Sequence, residues 1–180
     1  MLTTEMNSYR HAKTKDYETV ELICNKAYLQ IVLPNEQMSL DELEAKLIQD
    51  DGSLESSLKS EVGDVEIPAF SFKFQTDVRQ ALERLGIRRV FETTNSLAAL
   101  IQSPDGAMLK GIWQEVQINV NEQGISANAK TITSGVYGGI LGGQYVPFHM
   151  VVNRPFIFFV RDNVTDSLLF AGAVGDPGKY

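Results

Sequence analysis

Cysteine is almost missing from this chain. Cys24 is the only one in 180 residues, so no intrachain disulfide can form and a disulfide-stapled scaffold is excluded. Histidine is nearly as scarce, with only His11 and His149. Two distant histidines and one cysteine cannot supply the three or four spaced ligands of a zinc site, so no metal is assigned. Both histidines read as surface residues, His11 in a polar segment and His149 beside a strand. No Gly-x-Ser-x-Gly places a serine on a nucleophile elbow. The glycines of 135–143 precede neither Gly-Lys-Ser/Thr nor a helix start, so they form no phosphate loop. No catalytic residue and no cofactor are therefore assigned. Long apolar runs are lacking too. The longest, Pro155–Val160, falls far short of the ~20 residues that span a bilayer, and no membrane partner is expected. Met1-Leu-Thr-Thr-Glu-Met has no basic region followed by an apolar core, as a signal peptide would. Positive charge is in deficit, 16 Lys and Arg against 23 Asp and Glu, for a net charge of −7. That argues against a general nucleic-acid binder, whose affinity rests on neutralising phosphates. The one basic cluster, Arg84, Arg88 and Arg89, reads as cations offsetting the dipole at a helix C-terminus.

What remains is an ordinary globular composition, 43% hydrophobic and 22% charged, read as a single domain over 1–180. Residues 19–23 and 27–33 predict two strands joined by a turn at Asn25-Lys26. Ser39–Ile48 predicts a helix: Ser39 and Glu42 form a capping box, and Leu40, Leu43, Leu47 and Ile48 share one face. A short helix is expected over Ser53–Ser60. Val65–Phe74 reads as one strand that changes phase at Pro68, and Val78–Leu85 as a helix closed by Gly86. Residues 95–107 read as loop, ending in a Pro104-Asp-Gly106 turn. Met108–Val120 reads as a long strand with Ile112, Val116, Ile118 and Val120 on one side. Strands follow at 148–152, 155–161 and 167–174, the last two joined through Asn163–Asp166. The layout is α+β and strand-dominated, with a few short helices.

One stretch does not fit that simple inventory. Across 121–134, Ile125, Ala127, Ala129, Thr131 and Thr133 alternate with Ser126, Asn128, Lys130 and Ser134. A period of two is the mark of a half-buried strand, and only Ile132 breaks it. Yet the stretch lies between a strand and a run too rich in glycine to pair. A segment patterned for burial and tethered in this way can occupy two places.

Glu122, Gly124, Ile125, Ala127, Ala129 and Thr131 resemble the hinge of the reactive loop of serpins, suicide inhibitors of serine and cysteine proteases. Met150–Val160, with Asn153, Arg154, Pro155 and Phe156, is similar to the family signature. Leu168–Val174, with Phe170 and Gly172 and with Pro177 beyond, resembles the closing family strand. Ile31–Pro34, Ile67–Phe70, Leu85-Gly86 and Phe91 sit where the family carries matching elements. The resemblance covers essentially all 180 residues but only the C-terminal half of a serpin.

That resemblance implies a serpin-like fold with a long reactive-type loop over about 122–147, and a target protease as partner. The protease nucleophile forms an acyl-enzyme at the scissile bond, and the freed hinge inserts into the large sheet. Counting from the hinge puts that bond near Tyr137-Gly138 or Gly138-Gly139. Counting back from Pro155 puts it near Gln144-Tyr145. Tyr137, Leu141 and Tyr145 would suit a chymotrypsin-like pocket. Glu122 and Pro155 lie 155 − 122 = 33 positions apart, several more than in typical inhibitory members. Gln114 stands where many members have a histidine. Backbone pairing yields about 0.5–1.5 kcal/mol per hydrogen bond and ordering costs about 1–2 kcal/mol per residue, so side chains on the buried face decide whether insertion is favourable. Ile125 would add about 1.5–3 kcal/mol if fully buried. The resemblance also implies an extracellular setting, and heparin-type binding as a second reading of the arginine cluster. Half a serpin leaves an unpaired edge, so a partner supplying the N-terminal half, or self-association, is expected. The alternative function is a non-inhibitory serpin-like binding or scaffold module.

Overall fold

A computed structural model describes residues 1–24, 26–92, 97, 108–121 and 146–179, except for the Phe72 side chain. In chain order the first elements are β1 (Leu2–Thr3), β2 (Asn7–Lys13), β3 (Tyr17–Cys24), β4 (Ala27–Pro34), α1 (Leu40–Ile48), α2 (Ser53–Ser57) and β5 (Lys59–Ile67). Then come β6 (Phe70–Asp77), α3 (Arg79–Arg84), α4 (Arg89–Glu92), β7 (Trp113–Val120), β8 (Phe148–Val151), β9 (Phe156–Asp162) and β10 (Leu168–Val174). These elements gather into two compact units, Met1–Phe70 with Val120–Tyr180, and Ser71–Asn119.

The first unit is built on one sheet with the path β5-β2-β3-β4-β9-β10. β1 and β8 both pair β5, and β8 alone runs parallel to its neighbour. β3 and β4 form the hairpin that the sequence predicts, in register from Tyr17↔Pro34 to Cys24↔Ala27. Nearly every residue of both strands is buried, so both faces of the sheet are covered there. On one face Tyr17, Val32 and Ile157 pack with Leu43 of α1 and Leu54 of α2. On the other, Ile31 lies opposite Phe158, and Phe70 meets the rings of Phe156 and Phe158 at 5.7 and 5.5 Å.

Helix α1 begins as its sequence demands. The Ser39 hydroxyl accepts from the Glu42 amide at 3.3 Å, and the Glu42 carboxylate accepts from the Ser39 amide at 2.8 Å. Leu43 is fully buried, worth about 1.5–3 kcal/mol against exposure. Met38, Leu40 and Leu47 pack at the rim of the same cluster. Ile48 does not join them; it is 78% exposed, because the helix ends there and Asp50-Asp51-Gly52 turns the chain away. Gly52 takes φ +97°, a left-handed conformation that a Cβ disfavours, and opens α2.

The expected single strand over 65–74 is two. Pro68 has no N–H to give a ladder, so β5 ends at Ile67 and β6 begins at Phe70 in a different sheet. In the second unit β6 pairs with β7. Helix α3 is closed by Gly86 at φ +91°, as predicted. β7 starts at Trp113 rather than Met108, and Val116, Ile118 and Val120 share its more buried side. The Asp162 carboxylate accepts from the amides of Val164 and Thr165, which closes the β9–β10 turn. Among the described residues no helix is long and apolar enough to cross a membrane.

Candidate functional site

The hinge residues Glu122, Gly124, Ile125, Ala127, Ala129 and Thr131 lie outside the described residues, and so do Tyr137, Gly138, Leu141, Gln144 and Tyr145. What can be described are the elements on either side of them in the chain. β7 leads in, with Gln114 exposed. Val146 and Pro147 lead out, and β8 follows at once.

β8 is short, and the sequence gives little sign of what seats it. Its residues 148–151 pair with Gly63–Glu66 of β5, and the Val152 amide donates to the Glu66 carbonyl at 2.8 Å. Phe148 presses onto Gly63, where a Cβ would collide with the Phe148 backbone carbonyl and ring. Over the Phe148 ring lies the imidazole of His11, parallel within 1° at 3.8 Å between centroids, and Tyr9 meets the ring edge-on at 6.1 Å.

His11 is therefore no surface residue. It is 3% exposed, near the centre of β2, with Val20 and Lys59 as its register neighbours. Its Nδ1 lies 2.6 Å from a Glu61 carboxylate oxygen and its Nε2 lies 3.1 Å from one of Glu18. An ionised carboxylate only accepts, so two ionised partners would take both ring nitrogens as donors and favour the imidazolium. Burial pulls the His11 pKa down, but the hydrogen bonds to Glu18 and Glu61 outweigh it and hold it above its ordinary 6.5. Burial likewise pushes Glu18 up, but His11 and Lys13 more than reverse this and hold it below 4.5. Lys13 completes the row, its Nζ donating to Glu18 at 3.0 Å. A polar neighbourhood in sequence concealed this burial. The available signal was Glu18 and Glu61, which match His11 only once β3 and β5 are laid on either side of β2. His149 behaves as expected, 54% exposed, with Nδ1 2.6 Å from Asp64.

The signature residues come together around β9. Asn153 is exposed, and the Arg154 Nε donates to the Pro34 carbonyl at 2.9 Å, tying the β8–β9 link to the end of β4. Pro155 is half-buried, and Phe156 is fully buried against Phe70. Gly172 faces Phe158, whose Cζ would lie 2.6 Å from a Cβ there. Phe170 stands apart, 39% exposed on β10, beside Leu168 at 53% and Leu169 at 49%. In the arginine cluster, Arg88 donates to the Glu83 carbonyl at 3.2 Å, at the end of α3, as a helix-terminal cation should. Among the described residues no group of three His, Cys, Asp or Glu is arranged to hold a metal ion.

A family model described as Serpin (serine protease inhibitor) matches residues 1–177. The chain is 31% identical to Iripin-3 of Ixodes ricinus over 147 residues, which cover 80% of this chain and 36% of that protein. It is 31% identical to Serpin B3 of Homo sapiens over 82% of this chain and 37% of that one. The crystal structure of native protease nexin-1 with heparin superposes on 98% of this chain and 47% of its own, with a TM-score of 0.73 and 25% identity. The chain thus spans under two fifths of the length of the curated relatives it matches. Its strand-dominated α+β architecture is that of part of a serpin, and the chain belongs to the serpin family.

Proposed function

We propose that the chain acts within a serpin-type inhibitor of serine or cysteine endopeptidases, with the segment of about 122–147 offered as substrate. What supports this reading is the family match whose bounds are residues 1 and 177, together with the alternating pattern at 122–131. In the chemistry proposed, the protease nucleophile attacks a backbone carbonyl near Tyr137-Gly138 or Gln144-Tyr145. The C–N bond breaks, the new amine leaves, and an acyl-enzyme ester holds the protease to the hinge side. Insertion of 122–134 as a strand then competes with hydrolysis of that ester. Small Ala127 and Ala129 permit entry, and the two-residue period keeps Lys130 on the opposite face. Aromatic or leucine residues at 137, 141 and 145 favour a chymotrypsin-like target.

The proposed partner besides the protease is a polypeptide supplying the N-terminal part of the family fold. Support comes from β10, which pairs only with β9 among the described residues and leaves Leu168, Leu169 and Phe170 exposed. Without that partner, self-association is the expected substitute. An extracellular setting belongs to the same proposal, on family resemblance. A second reading, a non-inhibitory binding or scaffold module, is favoured by the glycines of 135–143 and the 33-position spacing from Glu122 to Pro155, because slack delays insertion.

The test incubates the chain, together with such a partner, with chymotrypsin, elastase and trypsin. A covalent complex that survives denaturant is the expected result. Cleavage within 137–145 without a complex would move the assignment to the second reading. A rise in thermal stability after cleavage would show that the hinge still inserts.

A further inference from the structure

The turn between β9 and β10 spells Asn163-Val164-Thr165. That is the acceptor pattern for N-linked glycans: asparagine, any residue but proline, then serine or threonine. Of the nine asparagines in the chain only this one fits it. We propose that Asn163 is a glycosylation site, modified in a secretory compartment before the β9–β10 hairpin closes. Such a triplet arises easily by chance, so the surroundings of Asn163 must decide.

Those surroundings suit a glycan on three counts. First, the tip of the turn is open: Asn163 is exposed, and Val164 beside it is 90% exposed. The Asn163 backbone amide donates to the Lys26 carbonyl at 2.8 Å, so the main chain is fixed while the side chain is left to solvent. Second, the turn is built without that side chain. The Asp162 carboxylate accepts from the Val164 amide at 3.0 Å, the Thr165 amide at 2.8 Å and the Thr165 hydroxyl at 3.0 Å. Tyr28 donates to the Asp166 carboxylate, and the Asp166 carbonyl accepts from Arg161 at 3.2 Å. Among the described residues nothing bonds to the Asn163 side-chain amide. A bulky, solubilising sugar on that nitrogen therefore breaks no contact of the fold. Third, the bond to Lys26 draws Asn163 toward the β3–β4 turn, away from the open edge of β10. A glycan there leaves Leu168, Leu169 and Phe170 free to be covered.

The transfer is a substitution. The Asn163 amide nitrogen attacks C1 of the first N-acetylglucosamine of a lipid-linked oligosaccharyl diphosphate. A C–N bond forms and the C1–O bond to the diphosphate breaks. The lipid diphosphate leaves with the electron pair, and the nitrogen gives up one proton. The transferase recognises the threonine of the triplet through its hydroxyl, which has a single proton to donate. In the folded turn that hydroxyl is taken: it donates to Asp162 and lies 3.0 Å from the Ser167 hydroxyl. The triplet can be read only while the chain is open, so attachment precedes the pairing of β10 with β9. Asp162 then closes the turn beneath the glycan.

Asn163 meets the donor only in a secretory compartment, so the site rests on the extracellular setting proposed for this chain. The test directs the full chain into the secretory pathway of cultured eukaryotic cells with a cleavable leader, which makes its own address irrelevant. The lumenal product should be heavier by one glycan. Peptide N-glycosidase should remove that gain and leave aspartate at position 163. Asn163→Gln and Thr165→Ala should each abolish the gain, and Thr165→Ser, which keeps the hydroxyl, should keep it. Asn163→Gln alters no contact of the fold, so its loss reports modification alone. Chain made while donor synthesis is blocked, and folded before the donor is restored, should stay bare. A lumenal chain of bare polypeptide mass, or a glycan retained in Asn163→Gln, overturns the site. Modification of the folded chain overturns the order of events. Incubation with protease is read separately. A glycosylated chain that forms no covalent complex counts against the inhibitor reading alone, and a bare chain that forms one counts against Asn163 alone.

Discussion

The large sheet ends in two strands that are held in opposite ways. At one edge β8 is fixed by ionic and aromatic contacts: His11 with Glu18 and Glu61, His149 with Asp64, and the ring of Phe148 between His11 and Gly63. At the other edge β10 is fixed by register and by one buried ring, with Leu168, Leu169 and Phe170 left bare. Both edges use the same device, a glycine pressed against a phenylalanine, Gly63 with Phe148 and Gly172 with Phe158. The surroundings differ. Phe158 is fully buried and touches Phe70, so it belongs to the core, whereas Phe148 is only half-buried and belongs to the rim. The β8 edge is held by polar and stacking contacts, and the β10 edge leaves apolar surface to be covered.

The sharpest way to break this contrast is to remove the core ring. Phe158→Ala should lower unfolding stability by about 3–5 kcal/mol, measured by urea denaturation, since nothing nearby can refill the space. A loss under 1 kcal/mol would mean that β10 is not anchored through Phe158. Next come the paired glycines. Gly172→Ala should cost about 1–3 kcal/mol globally, because the new Cβ would sit 2.6 Å from a ring that cannot yield. Gly63→Ala should instead strip exchange protection from β8 with under about 1 kcal/mol of global loss, since β8 can leave without opening the core. Equal global losses at the two glycines would erase the distinction. Replacing Leu169 and Phe170 together by lysine should abolish self-association in sedimentation while shifting stability by no more than about 0.5 kcal/mol. Persistent association would place the contact elsewhere. The smallest effect is expected from Asp64→Asn, whose partner His149 is 54% exposed: about 0–1 kcal/mol, read by β8 exchange and reduced further by high salt.

Much of this fold could be read along the chain. The capping box at Ser39 and Glu42, the β3–β4 hairpin, the Gly86 cap and the three last strands each rest on neighbours within a few residues, and each stands where predicted. Ile48 went astray because the helix stops before its next turn would bury that face. The strand over 65–74 divides because Pro68 ends one ladder, and no local pattern tells which sheet takes the remainder. Of the site, the hinge was expected from an alternating pattern and a family likeness and the scissile residues from counting along the loop, and both lie outside the described residues. The seat of β8 was not, since Glu18 and Glu61 lie seven and 50 positions from the histidine they bracket.

By itself the sequence determined the kind of elements, their order, the family and the segment patterned to pair. These depend on period, caps and turns, interactions that reach no further than a helical turn or a hairpin. Only the tertiary structure decided that a polar-looking histidine is buried and charged and that β8 lies parallel on β5. It also decided that one edge is ionic and the other apolar. Burial and ionisation are properties of what lies alongside, and what lies alongside is set when strands far apart in the chain become neighbours in one sheet.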